Sequence, residues 1–302
     1  MAYCDRRVLS IQSHVVSGYV GNKAATFPMQ VLGYDVDCIN SVQLSNHTQY
    51  DHFAGQVLNA EELRSVFLDG LVKNDIHCYS HVLTGYVGSP SFLVEVCKVV
   101  EMLKARNPNI VFICDPVMGD HGRFYVPQEN LPIYRDQLLK MADVITPNQF
   151  EAEKMSGIKI TNIEEGLQAM QILHEKGPST VILSSFESDD KLITLATSIK
   201  DGKKTGCSLE LTRIENNFVG TGDLFAALVL VWLHKHPDNL QLAIEKTVST
   251  LRKVLQNTHD AMKTVVKEGK NPTYAEKELR LIDSMKDIIE GKVTVKATPI
   301  NF

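Results

Sequence analysis

The sequence predicts an α/β fold with a central, mostly parallel β-sheet flanked by helices. Short runs rich in β-branched residues alternate along the chain with helical patterns, which is typical of βαβ units. Several of these runs are continuously apolar, as are strands buried on both faces of a parallel sheet. Because the alternation continues through 302 residues without a repeat, a low-complexity tract or a long linker, we expect residues 1–302 to form one domain.

Six runs are expected to be core strands, each followed by polar residues or by glycine and proline. They are residues 7–11, 35–40, 81–83, 110–114, 144–146 and 181–183. Two later runs, 192–199 and 209–214, flank a polar turn and predict an antiparallel hairpin. Open α/β sheets bind ligands at the carboxyl ends of their strands, so the residues that follow these runs are the first candidates for a site.

Three helices are indicated by caps and apolar stripes. The first is expected to begin at Asn59, with Glu62 three residues later, and to bury Leu63, Val66, Phe67 and Leu71. The second is expected to begin with a capping box of Thr161 and Glu164 and to bury Ile163, Leu167, Met170 and Leu173. The third carries the stripe Leu240, Ile244, Val248, Leu251 and Leu255.

The composition is that of a globular protein, with 44% hydrophobic and 22% charged residues. Thirty-one Lys and Arg against 36 Asp and Glu leave a net charge of −5, which argues against nucleic acid or an acidic membrane as a partner. The longest apolar run, 224–233, has about half of the roughly 20 residues that a membrane-spanning helix needs. A small anion such as a nucleotide is not excluded, because backbone amides and a metal ion hold such ligands locally.

The N-terminal region and the cysteines predict a cytoplasmic protein. Asp5, Arg6 and Arg7 stand where an export signal would have its apolar stretch. The cysteines form no CxxC pair and no cluster at zinc spacing, so we expect reduced thiols in the core. There are six: Cys4, Cys38, Cys78, Cys97, Cys114 and Cys207.

The strongest chemical signal is a glycine turn before an apolar helix, in NFVGTGDLFAALVLVWL. Gly220 and Gly222, with Thr221 between them, can take positive φ and present backbone N–H groups to an anion. Asp223, in the first helical turn, has two interpretations. Either the helix dipole favours a carboxylate there, worth about 0.3 to 1 kcal/mol, or Asp223 is a general base for an attacking hydroxyl. The turn matches neither a Walker A loop nor a GxGxxG dinucleotide fingerprint.

Six blocks extend in order over nearly the whole chain. They are RVLSIQSHVVSGYVGNKAATFPMQVLG, NSVQLSNHTQY, CDPVMGD, ITPNQFEAE, FVGTGDLFAA and HKHPDNLQLAIEKTVSTL. Together they closely resemble the animal pyridoxal kinases of the ribokinase superfamily. The resemblance implies a ribokinase-like three-layer α/β/α fold, a homodimer, and ATP-dependent phosphorylation of the 5′-hydroxyl of pyridoxal, pyridoxine and pyridoxamine. It also implies Mg²⁺, or another divalent cation such as Zn²⁺, and a monovalent cation, K⁺ or Na⁺.

The resemblance assigns roles to residues that also have ordinary structural explanations. It places the substrate, which is pyridoxal, pyridoxine or pyridoxamine and is called the vitamer below, against five residues: Ser13, Val20, Thr48, Tyr86 and Asp223. It places the transferred phosphoryl group at Gly220, Thr221 and Gly222, with Asp223 as catalytic base. Ser13 and Thr48 are equally explained as turn hydroxyls, and Tyr86 as a core residue.

The nucleotide and metal assignments rest on the same resemblance. The nucleotide-binding candidates are Asp115, Tyr125, Asn148, Glu151, Ser184, Ile214, Thr221 and Gly222. The metal-binding candidates are Asp120, Thr146 and Glu151, whose oxygen atoms suit Mg²⁺. Either acid of the CDPVMGD block could instead cap a helix or turn, and Thr146 could be a helix N-cap.

The chain departs from the mammalian pattern around the expected nucleotide site. The loop HGRFYVP after Asp120 is several residues shorter, and Leu183 replaces a threonine that faces the nucleotide. Residues 215–217 and 87–90 also differ. We expect the chemistry to be retained and the lid over the phosphates and the nucleotide selectivity to differ.

Two other functions compete with this interpretation. One is a kinase for another small alcohol, such as a hydroxymethylpyrimidine or a sugar. The other is a carrier that binds the vitamer without ATP turnover. The retained acids Asp115, Asp120, Glu151 and Asp223 argue against the carrier, which has no need of them.

Overall fold

The structure is a computed structural model that describes residues 4–188, 191–266 and 270–302. Within them the strands are β1 (Arg7–Val15), β2 (Asp35–Leu44), β3 (Gly55–Val57), β4 (His81–Thr84), β5 (Val111–Cys114), β6 (Gly119–Asp120), β7 (Arg123–Phe124), β8 (Val144–Ile145), β9 (Thr180–Ser188), β10 (Lys191–Lys200), β11 (Lys203–Leu211) and β12 (Thr298–Ile300). The α-helices are α1 (Asn22–Val31), α2 (Ala60–Arg64), α3 (Pro90–Arg106), α4 (Asn130–Ile133), α5 (Leu139–Met141), α6 (Gln149–Ser156), α7 (Ile163–Glu175), α8 (Thr221–Lys235), α9 (Leu240–Val265) and α10 (Met285–Glu290). Further helical turns are π-helical at Ser65–Val72 and Tyr134–Leu138 and 3₁₀ at Ala275–Lys277.

Ten of the described strands form one sheet in the order β12-β11-β10-β9-β8-β5-β4-β1-β2-β3. From β9 to β2 the neighbouring strands are parallel, whereas β10, β11 and β12 at one edge and β3 at the other are antiparallel. β6 and β7 pair separately as a small hairpin. The predicted mostly parallel sheet is therefore confirmed. The carboxyl ends of its parallel strands share one side, which is where such sheets bind ligands.

Helices cover both faces of the sheet. Neighbouring strand residues such as Val82 and Leu83 point into different apolar clusters, because side chains alternate across a strand. The cluster that contains Val82 packs α2, α3, α6 and α7 onto the sheet, and the cluster that contains Leu83 packs α1, α8, α9 and α10. Helix α8 is buried without interruption from Leu224 to Trp232, since it lies between the sheet and its neighbours α1 and α9. The three-layer arrangement is confirmed.

Four strands differ clearly from their predicted bounds: β1, β2, β9 and β11, the last of which ends at Leu211 and not at residue 214. β1 continues to Val15 and β2 to Leu44, since the backbone pairing of the two strands extends to these residues, and β9 continues to Ser188. The second strand of the predicted hairpin begins at Lys203, not at residue 209. Its turn is only Asp201-Gly202, both with positive φ, which suits a tight two-residue hairpin.

The prediction that all six cysteines are reduced core thiols is wrong for three of them. The structure joins Cys4 and Cys78 in a disulfide, and Cys38 is exposed. Three cysteines are free and buried, as predicted: Cys97, Cys114 and Cys207. The two bridged residues are 74 positions apart and meet because the strands that follow them, β1 and β4, are neighbours in the sheet. Spacing along the chain therefore gives no sign of this pair.

The first predicted helix is correct at its start and changes form further on. The Asn59 side chain accepts the backbone N–H of Glu62 while the Glu62 carboxylate accepts that of Asn59, as a capping box requires. From Ser65 the helix is π-helical, which shifts the face that later residues present. Phe67 is fully buried as predicted, whereas Val66 is 45% exposed and its predicted burial is wrong.

The helix α7 has a different cap from the predicted one. Asn162, not Thr161, is the N-cap, and its side chain accepts the backbone N–H of Glu165. Thr161 lies one residue outside the helix and donates both its backbone N–H and its hydroxyl to the Glu165 carboxylate. The predicted Thr161–Glu164 capping box is therefore wrong: the N-cap is Asn162, and the carboxylate that binds Thr161 belongs to Glu165.

A buried histidine cluster at the amino end of β4 predicts that the protein loses stability in acid. His81 is 3% exposed, and its ring lies 4.5 Å from that of His234. Burial, and to a smaller extent His234, lower the pKa of His81 to about 3 from an ordinary value of 6.5. Between these pH values the unfolded chain binds a proton that the folded protein excludes, so His81 contributes stability above pH 6.5 that is lost as the pH falls toward 3.

We expect His81→Gln to reduce the pH dependence of the free energy of unfolding between pH 6.5 and 4. Urea titrations across this range measure it for the wild type and the variant. The exposed His52→Gln is the matched control and should retain the wild-type slope. An unchanged slope in His81→Gln would contradict the assignment.

Within the described residues, we find no helix that combines the length and the apolar character needed to cross a membrane.

Candidate active site

The glycine turn before α8 has the backbone geometry that the sequence suggested. Gly220 is the N-cap of α8 and has φ +84°, a region that favours glycine. A Cβ atom at Gly220 would lie 2.0 Å from the carbonyl oxygen of Tyr19, so the turn packs directly against the loop that follows β1. Thr221 and Gly222 then open the helix with N–H groups that have no partner inside it. N–H groups of this kind, at the start of a buried helix, can bind an anion.

Asp223 is held by a backbone group from the other end of the chain. Its Oδ2 accepts the N–H of Gly21 at 2.7 Å. Burial raises the pKa of Asp223 to about 6, against the lowering effect of the Gly21 hydrogen bond. The carboxylate is therefore more basic than an ordinary aspartate and is still mostly ionised at pH 7.

Gly21 was not identified from the sequence, although the structure places it at the centre of the site. It has φ +55°, and a Cβ there would lie 2.0 Å from the carbonyl oxygen of Ser13. Only glycine fits, because any side chain would collide with β1 and displace the N–H that meets Asp223. The available signal was the position of Gly21 in SGYVG, directly after the first strand.

A second acid group lies beside Asp223. Asp115, which follows β5, is 5% exposed, and its Oδ1 accepts the hydroxyl of Thr146 at 3.0 Å. Burial first, and then the charge of Asp223, raise the pKa of Asp115 to about 8, while the Thr146 hydrogen bond lowers it. A Cβ at Gly222 would lie 3.9 Å from Asp115 Oδ2, so the glycine turn faces this carboxylate. The structure thus brings Asp115, Thr146 and Asp223 together.

Glu151 belongs to the same group and organises the loop after β5. Its two oxygens accept the backbone N–H groups of Met118 and Asn148, each at 2.9 Å. Asn148 in turn accepts the N–H of Glu151 and is the N-cap of α6, so the alternative in which Thr146 is the N-cap is wrong. Burial and Asp115 raise the pKa of Glu151 despite these hydrogen bonds. The Asn148 side chain also donates to the Gly119 carbonyl at 2.8 Å.

Asp120 and Tyr125 lie on and beside the small β6–β7 hairpin, nearer to solvent. Asp120 Oδ1 accepts the backbone N–H of His121 at 2.8 Å, and the Asp120 side chain is 43% exposed. Tyr125 is 57% exposed, and its N–H donates to the Met118 carbonyl. Burial, Asp120 and Glu151 together raise the pKa of Tyr125. Asp120 is the one metal candidate that is not buried.

The vitamer candidates lie around the carboxyl ends of β1, β2 and β4. Ser13 lies inside β1, so its interpretation as a turn hydroxyl is wrong. Val20 is buried, Thr48 is exposed in the loop after β2, and Tyr86 follows β4. Tyr86 is partly exposed while it packs against the apolar cluster, and burial raises the pKa of its phenol. Of these positions, Ser13 lies directly against Gly21, and Val20 precedes it in the same loop.

The chain is similar to known proteins over nearly its whole length. Residues 33–272 match the family model described as phosphomethylpyrimidine kinase. The pyridoxal kinases of Bos taurus and Arabidopsis thaliana are 50% and 49% identical to this chain, over 97% and 96% of it and over 98% and 94% of their own lengths. The structure of pyridoxal kinase from Leishmania donovani in complex with ADP and pyridoxamine superposes with a TM-score of 0.89, at 36% identity, covering 98% of this chain and 100% of that one.

The chain belongs to the pyridoxal kinase family. It is a kinase with the α/β fold of that family. As an enzyme that transfers a phosphoryl group from a nucleotide, it works with a divalent cation. Among the described residues, no group of three or more His, Cys, Asp and Glu is arranged to hold a metal ion.

Leu183, where the chain departs from the mammalian pattern, lies in the interior of the sheet. Leu183 is fully buried in β9 and points into the apolar cluster, so it does not face the strand end where the nucleotide is expected. Ser184, on the opposite face, donates its hydroxyl to the Pro147 carbonyl at 3.2 Å, beside Asn148. Ile214 lies between β11 and the glycine turn and is partly exposed. The nucleotide candidates Ser184 and Ile214 therefore lie on the side of the sheet where α8 begins.

Proposed function

We propose that this chain transfers the γ-phosphoryl group of ATP to the 5′-hydroxyl of pyridoxal, and also of pyridoxine and pyridoxamine. The observation that carries the proposal is the Asp223 carboxylate, which the Gly21 N–H holds at the start of a buried helix. Structures of the Leishmania donovani enzyme with ADP and pyridoxamine, and with ADP and pyridoxine, support the choice of substrates.

Asp223 acts as the general base in this proposal. It takes the proton of the 5′-hydroxyl as the oxygen attacks the γ-phosphorus, the new P–O bond forms, and the bond to the β-phosphate breaks to release ADP. A pKa near 6 leaves Asp223 ionised at neutral pH and basic enough to share the proton in the transition state. The N–H groups of Gly220, Thr221 and Gly222 hold the negative charge of the transferred group. Ser13, Val20, Thr48 and Tyr86 orient the vitamer.

The buried acids fit a divalent cation. Asp115 and Glu151 lie close together with raised pKa values, which is the state of carboxylates that lack a compensating positive charge. We propose that Asp120, Thr146 and Glu151 hold Mg²⁺, or another divalent cation such as Zn²⁺, with phosphate oxygens as the remaining ligands. When bound, this ion neutralises charge on the phosphates. A monovalent cation, K⁺ or Na⁺, belongs to the same proposal.

The nucleotide occupies the side of the site formed by α6, β9 and the glycine turn. We assign it to Asp115, Tyr125, Asn148, Glu151, Ser184, Ile214, Thr221 and Gly222. Tyr125 follows the β6–β7 hairpin, and its exposed ring is free to close over the phosphates.

The proposal also covers the domain organisation, the location and the oligomeric state of the protein. We propose that residues 1–302 act as one domain, since one sheet includes strands from β1 to β12. We also propose a cytoplasmic homodimer. Val16, Phe53 and Val57, near the β3 edge of the sheet, are each at least half exposed, which supports a surface that a second copy covers.

The proposed reaction is tested by incubating the protein with Mg²⁺, ATP and single acceptors and measuring ADP and phosphorylated product. Pyridoxal, pyridoxine and pyridoxamine should be phosphorylated, and a hydroxymethylpyrimidine and a sugar should be poor acceptors. Preferred turnover of the pyrimidine would replace the proposal by the rival kinase. Pyridoxal binding without ADP formation would replace it by the carrier.

A further inference from the structure

Glu278 connects the C-terminal segment to the loop after β1. It directly follows the 3₁₀ turn Ala275–Lys277, and its side chain is 12% exposed. Its Oε2 accepts the backbone N–H of Tyr19 at 3.0 Å, across 259 positions of the chain. A Cβ at Gly18, which has φ +87°, would lie 2.3 Å from Glu278 Oε1. The positive φ favours glycine here, and a side chain at this position would displace the Glu278 carboxylate.

The second oxygen of Glu278 anchors the loop that carries Thr48. Oε1 accepts the hydroxyl of Tyr50 at 3.1 Å and lies 3.4 Å from His47 Nε2. The rings of His47 and Tyr50 also contact Tyr274 from the C-terminal segment, with centroid distances of 5.6 and 5.4 Å. Burial alone would raise the pKa of Glu278, but the donors at His47, Tyr19 and Tyr50 hold it below its ordinary value. The carboxylate is thus a charged acceptor shared by two loops.

The other side of the Tyr19 loop meets the catalytic turn. The Tyr19 carbonyl packs against Gly220, and two residues later the Gly21 N–H donates to Asp223. The position of the Gly21 N–H therefore depends on the conformation of the Tyr19 loop. Glu278 stabilises this loop from the side opposite Gly220. Val20, a vitamer candidate, lies between the two anchored residues.

We propose that Glu278 is a positioning residue, which sets the orientation of Asp223 through Tyr19 and Gly21 and the placement of Thr48 through His47 and Tyr50. Its direct contacts are with the two loops on the vitamer side of the site, and it reaches the nucleotide candidates Thr221 and Gly222 only indirectly, through the packing of the Tyr19 loop against Gly220. Of the other nucleotide candidates, Asn148 follows β8 and Ser184 lies within β9, and neither contacts Glu278 in the hydrogen bonds described for the structure. The inference rests on the proposed function.

The test is steady-state kinetics of Glu278→Ala and Glu278→Gln with pyridoxal and ATP varied separately. Glu278→Ala should lower kcat/KM for pyridoxal by about 10²-fold, the size of effect that a displacement of about 1 Å produces, and leave the KM for ATP within about twofold. Glu278→Gln should recover part of the activity, because its amide oxygen still accepts the Tyr19 N–H. Tyr50→Phe removes one hydrogen bond and leaves Glu278 in place, so a smaller loss in the same parameter is expected.

Glu276→Ala is the matched control. Its carboxylate caps the same segment by accepting from the Thr273 backbone and hydroxyl, and the contacts described for it lie within that segment. Wild-type kcat/KM for pyridoxal in folded Glu278→Ala would overturn the inference, and so would equal losses in Glu276→Ala. If Glu278→Ala does not fold, Tyr50→Phe with unchanged kcat/KM overturns it. A wild-type enzyme that fails to phosphorylate pyridoxal would instead overturn the proposed function.

Discussion

Asp223→Asn is expected to lower kcat by about 10²- to 10⁴-fold while the protein stays folded and binds ATP. The amide has the shape of the carboxylate, and its oxygen can still accept the Gly21 N–H, so the turn should keep its geometry. It cannot take a proton from the 5′-hydroxyl. Single-turnover measurement of pyridoxal phosphate formation, with ATP affinity measured by calorimetry, separates the loss of chemistry from any loss of binding.

The competing interpretation of Asp223 makes a different prediction. An acid that only complements the helix dipole would contribute about 0.3 to 1 kcal/mol of stability and nothing to turnover. Near wild-type kcat in a folded Asp223→Asn would therefore establish the dipole interpretation. Asp238→Asn, which changes an acid that is 94% exposed just beyond the other end of α8, is the matched control and should keep full activity.

The fold was predictable because its signals are local. Strand runs such as 110–114 and the stripe of α9 depend on residues within a few positions of one another. The errors arose where the fold overrides local preference. Gln12 is polar, yet it is fully buried in the middle of β1, so the predicted strand was too short. Val66 fits a regular helical stripe, but the π-helical segment changes its direction.

The candidate site likewise contains residues that could be predicted from the sequence and residues that could not. Asp115, Thr146 and Asp223 follow strands or open a helix, so the topology of a parallel sheet was enough to predict that they meet. Gly21 and Glu278 could not be predicted in this way. Their partners lie 202 and 259 positions away, and the close contacts at Gly18 and Gly21 exist only in the folded protein. Their roles follow from packing between the two ends of the chain.

Asp115→Asn is expected to have opposite effects on stability and on activity. The pKa of Asp115 is raised to about 8 from an ordinary 3.8, because the carboxyl group is buried beside Asp223. Between these pH values the folded protein binds a proton that the unfolded chain releases, so stability falls as the pH rises from 4 to 8. The asparagine has no charge to bury and can still accept the Thr146 hydroxyl. At pH 8 we expect Asp115→Asn to be more stable than the wild type by about 2 kcal/mol, which corresponds to a rise in Tm of roughly 4 °C.

The extra stability of Asp115→Asn over the wild type should vanish at pH 5. When ligand is bound, the wild type should be the more stable of the two. At pH 5 the wild-type carboxyl group is largely protonated, so the two proteins should unfold at similar temperatures. Mg²⁺ with ATP should stabilise the wild type more than Asp115→Asn, because the buried negative charge that weakens the free protein attracts the cation that accompanies the nucleotide. Turnover should fall for the same reason.

Thermal unfolding at pH 5 and pH 8, each with and without Mg²⁺ and ATP, measures the differences in stability, and the rate of ADP formation measures turnover. Asp120→Asn is the matched control, since its side chain is 43% exposed and should give no comparable gain at pH 8. An Asp115→Asn protein that is less stable than the wild type at pH 8 would mean that the carboxylate is already compensated within the folded chain. The Asp115 carboxylate would then play no part in attracting the cation, and the role of Asp115 in the site would be structural.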